Sequence, residues 1–227
     1  MSIDQFKQRA AEKAVEQVKS GMTLGLGSGS TVSHAVIKIG QLWQSGELAN
    51  ITGVPTSERT ETLARQYNIP LTTLDSHPNL DLAIDGADEV DPHLNLIKGL
   101  GGALLREKMV ELTAKYFIVV VDDTKPVKKI GTRGPLPVEV VQFSWRYQAN
   151  WLATLGCTPT LRGGEAAPFV TDNGNYILDC TFPQGIDDPA GLARTLNERT
   201  GVVEHGLFLN MADEVIVAGE TGLQFIN

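Results

Sequence analysis

Residues 116–121, YFIVVV, leave no polar face. A strand with one solvated side alternates apolar and polar residues. A continuous apolar run of this length therefore belongs to a strand covered on both faces, as in a parallel sheet flanked by helices. It ends abruptly at Asp122-Asp123-Thr124-Lys125. Such a sheet needs strands alternating with crossover helices, and the chain upstream supplies them. Ser2 with Gln5 three residues later predicts a capping box. Phe6, Ala10, Ala14 and Val18 recur at helical spacing, and Gly21 is placed to stop that helix. Residues 23–26 then read as a strand, Gly27-Ser28-Gly29-Ser30-Thr31 as a loop, and Val32, Ala35, Val36 and Ile39 as a buried helix face. Strand, Gly/Ser loop and helix open a mononucleotide-style α/β unit. Strands at 51–54, 71–74 and 81–84, and helices over 58–67 (capped by Thr56-Ser57) and 102–115, continue the pattern.

The pattern changes after Gly131. Gly134-Pro135-Leu136-Pro137 reads as a hinge, followed by a strand at 138–141, a helix over 145–155 and a strand at 159–161. Residues 169–171 and 176–181 flank Asp172-Asn173-Gly174-Asn175, and Asn-Gly between strands signals a hairpin. A helix over 188–199 and a strand at 202–203 complete a βαββαβ order, predicting a small ferredoxin-like domain. Strands at 207–209 and 214–218 are expected to rejoin the first sheet. The predicted fold is α/β: a Rossmann-like, mostly parallel sheet domain formed by 1–131 and 207–227, with a smaller α+β domain at 132–206 inserted.

Composition narrows the function. At 227 residues, 42% hydrophobic and 20% charged, the chain is an ordinary globular sequence with length for a sizeable core. The net charge of −8 and the absence of a basic cluster disfavour nucleic-acid binding. The N-terminus lacks an apolar core of signal-peptide length, and no run approaches a membrane span. A cytoplasmic location is expected. Cys157 and Cys180 are too few and too separated for a metal knuckle or a CxxC pair, and read as free thiols in a reducing compartment. His34, His77, His93 and His205 show no metal-ligand spacing.

The chemistry concentrates in residues 81–108, DLAIDGADEVDPHLNLIKGLGGALLREK. Asp85 and Asp88 follow the carboxyl end of a strand, where open α/β sheets place their ligand crevice. They suit proton relay or substrate hydroxyls, turn capping, or a magnesium ion. A calcium loop fails because Ala83 cannot ligate. Glu107 falls on a helical wheel between a small-residue face (Ala103, Val110, Ala114) and a charged one (Lys108, Glu111, Lys115), fitting either a general base or a rim glutamate. Lys98 and Lys125 each follow a strand and could meet a phosphate or an oxyanion, or simply be solvated. The 27–31 loop is a seat for phosphate or sugar oxygens, or a plain strand-to-helix turn with Ser30 or Thr31 as N-cap. It matches neither a dinucleotide fingerprint nor a Walker loop.

Together these blocks resemble the type A ribose-5-phosphate isomerase family across essentially the whole chain. The resemblance runs through Gly27-Ser28-Gly29-Ser30-Thr31, Asp85-Gly86-Ala87-Asp88-Glu89, Lys98-Gly99-x-Gly101, Arg106-Glu107-Lys108 and Lys125. It continues through Leu136-Pro137-Val138-Glu139-Val140, Thr171-Asp172-Asn173-Gly174-Asn175 and Gly206-Leu207-Phe208. It implies interconversion of ribose 5-phosphate and ribulose 5-phosphate through an enediolate. Glu107 would be the base, with Asp85, Asp88 and Lys98 the other catalytic groups. Ser28, Gly29, Ser30, Thr31, Asp85, Gly86, Ala87, Asp88, Lys98, Gly99, Leu100, Gly101 and Lys125 would seat the substrate. It implies no metal, no organic cofactor, no nucleic-acid or membrane partner, and a homodimer or tetramer. Two positions depart from the family pattern: Ser28, where Thr is common, and Leu100, where the glycine run is often unbroken. A Cβ at position 100 would reshape the loop if a positive φ were needed there. Two rivals are a related sugar-phosphate enzyme, such as an amino-sugar-phosphate deaminase, and a non-catalytic sugar-phosphate sensor domain.

Overall fold

In the computed structural model, which describes residues 1–227, the apolar run is β6 (Phe117–Asp122), and every residue of it is buried. With β1 (Thr23–Leu26), β2 (Thr52–Pro55), β3 (Leu82–Asp85), β12 (Glu214–Gly219) and β13 (Gly222–Ile226) it forms a six-stranded sheet in the order β13-β12-β6-β3-β1-β2. All pairings are parallel except β12 with β13. Helices α1 (Ile3–Val15) and α2 (Ser30–Ser45) cover one face, where Phe6, Ala10, Val32 and Ile39 form one core with Leu26, Ile84, Ile118 and Ile216. On another side of the sheet Val110 of α4 (Leu104–Glu111) packs with Val54 and Leu80. Gly25 allows that approach: a methyl there would come within 2.9 Å of both Val110 Cγ1 and Ala83 Cβ. From β1 the chain steps outward to β2, past α3 (Glu58–Gln66), and then returns to β3 on the opposite side of β1. The β1/β3 boundary is therefore the sheet's topological switch point.

These elements belong to one of two packing units, made of Met1–Ala87, Arg106–Lys125 and Met211–Asn227. The other comprises Asp88–Leu105 and Pro126–Asn210, so 88–105 groups with the inserted region rather than with the flanking α/β sequence. Its main sheet joins β7 (Leu136–Val140), β8 (Thr158–Leu161), β9 (Tyr176–Thr181) and β10 (Val202–His205), antiparallel throughout, in the order β10-β7-β9-β8. Helices α5 (Trp145–Ala153) and α6 (Pro189–Asn197) complete the ferredoxin-like βαββαβ unit. A small sheet in the order β11-β5-β4 joins β4 (Glu89–Val90), β5 (Leu96–Ile97) and β11 (Leu207–Phe208).

Several local expectations need correction. The strand at 207–208 pairs with β5 and does not rejoin the six-stranded sheet; only β12 does so. The segment at 71–74 makes one bridge, Leu71 with Gly53, before turning away through Ser76 N–H to Thr73 O. The hairpin predicted at 169–181 is reduced to a single Val170–Tyr176 bridge, and the partner of β9 on that side is β8. Helix α1 ends at Val15, well before Gly21, whose N–H bonds to Ala49 O. Helix α4 is shorter than 102–115: Gly102 sits at φ +87°, outside helical space, and Lys115 N–H is drawn to Leu80 O.

Candidate active site

In the first unit the polar residues gather at the switch point. Asp85 ends β3 and is 1% exposed. Its Oδ1 accepts the N–H groups of Ser28 at 2.9 Å and Gly86 at 2.7 Å. A side chain at Gly27 would run into the Asp85 carboxylate, so only glycine lets the two strand ends stand this close. The Ser28 hydroxyl lies within hydrogen-bond distance of Thr56 Oγ1 (2.7 Å), Ser57 Oγ (2.6 Å) and Thr60 Oγ1 (3.0 Å), while Thr60 donates to Gly27 O at 2.9 Å. Ser28 thus shapes the loop through a cluster of hydroxyls, with its N–H turned to Asp85.

Beyond it, α2 starts at Ser30 with Gly29 as N-cap at φ +123°, and no side chain caps the helix. Ser30 and Thr31 are its first residues and not its cap, as one of the two readings of the loop had it. Helix-terminal N–H groups without a side-chain cap form a ready seat for an anion. Lys7, on α1, adds a cation there, its Nζ donating to Ser30 Oγ at 3.1 Å.

Glu107 lies in the first turn of α4 and is 3% exposed. It shares a face with Val110, three residues on, which packs into the core. The rim position allowed by the helical wheel is therefore excluded. Of the face judged charged from sequence, Lys108 and Glu111 are enclosed as well, while Lys115 is exposed. Lys125, half-buried, follows β6 in a turn where its N–H reaches Asp122 O at 3.1 Å. The same turn is pinned by Thr124 N–H and hydroxyl, both bonded to Asp122 Oδ1.

In the second unit Asp88, half-buried, donates its N–H to Ile97 O at 2.8 Å and accepts the Leu100 N–H on Oδ2 at 2.9 Å. Lys98 is almost completely enclosed. Its N–H bonds to Gly206 O at 3.0 Å and its Nζ stands 5.4 Å from the centre of the Phe208 ring. The next four residues close a turn through Gly102 N–H to Gly99 O, 2.9 Å. Its positive φ angles fall on Gly99 (+94°) and Gly102 (+87°), not on Leu100, whose side chain is 41% exposed. The leucine therefore breaks the glycine run without straining it.

Within each unit, then, the predicted residues meet in two hydrogen-bonded groups: Asp85 with Ser28 and Gly86, and Asp88 with Leu100. The sequence does not single out Lys7 or the Thr56–Thr60 hydroxyls. Thr56-Ser57 signalled only a helix cap. Nothing local marks Lys7, whose contact with Ser30 spans 23 residues. No group of three or more His, Cys, Asp and Glu side chains is gathered as a metal cage.

A family model described as ribose 5-phosphate isomerase A (phosphoriboisomerase A) matches residues 52–222. The chain is 56% identical over 230 residues to the probable ribose-5-phosphate isomerase 3, chloroplastic, of Arabidopsis thaliana, covering 99% of this chain and 83% of that protein. It is 53% identical over 219 residues to ribose-5-phosphate isomerase A of Roseiflexus castenholzii, covering 96% and 93%. A D-ribose-5-phosphate isomerase solved in complex with phospho-erythronic acid superposes with a TM-score of 0.97 at 41% identity, over the whole of both chains. The likeness runs through both packing units, and this chain belongs to the ribose-5-phosphate isomerase A family.

Proposed function

We propose that this chain interconverts D-ribose 5-phosphate and D-ribulose 5-phosphate with Glu107 as the base that carries the proton. The isomerisation is the reaction named for its family; the residue roles are our assignment. The observation that carries it is the enclosure of Glu107 on the core-facing side of α4. A carboxylate shielded from water and held by a packed helix can accept a carbon-bound proton and keep it for return. In the forward direction Glu107 takes the proton from C2 of the open-chain aldose and gives it back at C1. Between these steps, a proton leaves the C2 hydroxyl as one reaches the former carbonyl oxygen on C1. Asp85 and Asp88 take part in ring opening and in these oxygen-to-oxygen transfers. Lys98 and the amides of the 98–101 loop stabilise the negative enediolate oxygens, the kind of contribution that is often the largest single one in catalysis. The phosphate is held at the N-terminus of α2 by the amides of 29–31, with Lys7 and Lys125 adding charge.

Phospho-erythronic acid, bound by a relative, carries a planar, charged carboxylate at one end and a phosphate at the other. Those features imitate an enediolate phosphate, and we expect this chain to bind it too. We further place the protein in the cytoplasm as a homodimer, its mass in solution being checked by sedimentation. No helix is long and apolar enough to cross a membrane.

The test is an assay on ribose 5-phosphate with chelator present, comparing wild type with Glu107→Gln. Loss of a general base lowers kcat by about 10²–10⁴-fold. A Gln variant near wild-type activity removes the assignment, and activity lost to chelator alone points to magnesium instead. Amino-sugar phosphates in the same panel separate the isomerase from a deaminase on this scaffold.

A further inference from the structure

Arg162, just past β8 in the second unit, holds three groups at once. Its Nε and Nη2 donate to the two oxygens of Asp179 on β9, at 2.9 and 2.5 Å. Its Nη1 donates to the carbonyls of Gly99 at 3.1 Å and Leu100 at 3.0 Å. The guanidinium also lies 5.8 Å from the centre of the Phe169 ring, and its side chain is 15% exposed. Bidentate pairing with Asp179 fixes the plane of the guanidinium, so the third nitrogen has a set direction. A staple between β8 and β9 would need only Asp179. The bonds to two successive carbonyls of a separate loop need another reason.

Peptide geometry supplies one. In a trans peptide the C=O and the following N–H point in opposite directions, and the chain contains no cis peptide. Drawing the Gly99 carbonyl toward Arg162 sends the Leu100 N–H the other way, where it meets Asp88 Oδ2 at 2.9 Å. Drawing the Leu100 carbonyl toward Arg162 likewise turns the Gly101 N–H away from the guanidinium, toward the side on which Asp88 lies. A Cβ built on Gly101 would meet no atom within 4 Å, so the backbone there is open to approach.

We propose that Arg162, anchored by Asp179, is a positioning residue for the isomerisation: by holding two carbonyls on one side of the 99–102 turn it aims the Gly101 N–H, beside Asp88, at a substrate oxygen that gains charge in the enediolate. This rests on assigning the 98–101 loop to the substrate seat. Because the donor serves the charged intermediate more than the neutral substrate, its misplacement lowers kcat and leaves KM nearly unchanged.

The experiment measures kcat and KM for Glu107→Gln, Arg162→Met and Arg162→Lys, the Arg162 variants also with millimolar guanidinium. The expected result is an inactive Glu107→Gln, together with Arg162→Met lowered at least tenfold in kcat, KM within threefold, and partly restored by guanidinium. A kcat within twofold of wild type for Arg162→Met overturns the proposal. So does a loss that guanidinium does not relieve and that merely follows a lowered melting temperature. If Arg162→Met does not fold, Arg162→Lys decides, since it keeps the charge but cannot reach Asp179 and both carbonyls together. A fall of fivefold or more in kcat at constant KM supports the clamp, and wild-type kcat removes it. A fully active Glu107→Gln would instead remove the reading of the site, and the clamp with it.

Discussion

Leu100 has both of its backbone groups engaged, the N–H by Asp88 and the carbonyl by Arg162, while its side chain is partly exposed. The unusual φ angles of the turn belong to the glycines on either side, at 99 and 102. Replacing the leucine therefore relieves no strain. Glycine would instead widen the conformational freedom of the unfolded chain, a modest cost in stability. Leu100→Gly is expected to change kcat/KM by less than threefold and to lower the melting temperature slightly. A tenfold gain in kcat/KM, about 1.4 kcal/mol of barrier, would show that the leucine obstructs the loop after all. Steady-state kinetics and a thermal melt of the one variant are sufficient.

At the scale of elements, Glu139 joins two segments that look independent in the sequence. It lies in the middle of β7, fully buried, and its Oε1 accepts from Thr171 Oγ1 and Asn175 Nδ2, each at 2.9 Å. The 171–175 turn is thus fastened to the sheet by a carboxylate. That explains why the Asn-Gly turn does not open a regular hairpin: the residues before it are turned inward to Glu139 and make only one bridge to β9. Periodicity finds long, uniformly apolar strands such as β6, and cap and loop residues such as Ser2 and Gly27. It is blind to two-residue strands like β4 and β5, and to side chains that redirect a turn from across a sheet. The same division governs the site. Asp85 and Glu107 are legible because each sits at a marked place on one element. Lys7 and Arg162 are not, because their partners are distant in sequence.

Burial pushes the Glu139 carboxyl above its ordinary range, with Glu204 pushing the same way, and the bonds from Asn175, Thr171 and Asn173 oppose the shift only in part. A carboxyl raised in the folded state binds its proton more tightly there than in the unfolded chain. Its contribution to stability is complete below the unfolded pKa and declines as pH rises through the folded value. Glu139→Gln removes that decline. Denaturant unfolding at pH 5 and pH 8 is expected to show the variant gaining on wild type at the higher pH, whereas an identical difference at both pH values would contradict the shift.

For the whole molecule, the question is how a chain of net charge −8 binds a doubly charged sugar phosphate. Two opposing fields act on the substrate. The summed charge repels it, but charges farther than a Debye length, about 8–10 Å near physiological salt, are largely screened. With the phosphate seated at the start of α2 as proposed, Lys7 would act at contact range, its Nζ being 3.1 Å from Ser30 Oγ. Two unit charges 4 Å apart interact by roughly 4 kcal/mol at the effective dielectric of a protein surface, and the amides at the end of α2 act in the same sense. The local term should therefore exceed the distant one. Its sign is measurable, because salt weakens whichever term dominates. If the local cation governs capture, kcat/KM for ribose 5-phosphate falls by a few-fold between low and moderately high sodium chloride, and Lys7→Met flattens or reverses that slope. If the net charge governs, kcat/KM of the wild type instead rises with salt, because screening removes the repulsion. A salt series on the two proteins distinguishes these cases, and a rising wild-type slope would remove Lys7 from the phosphate seat as its dominant charge.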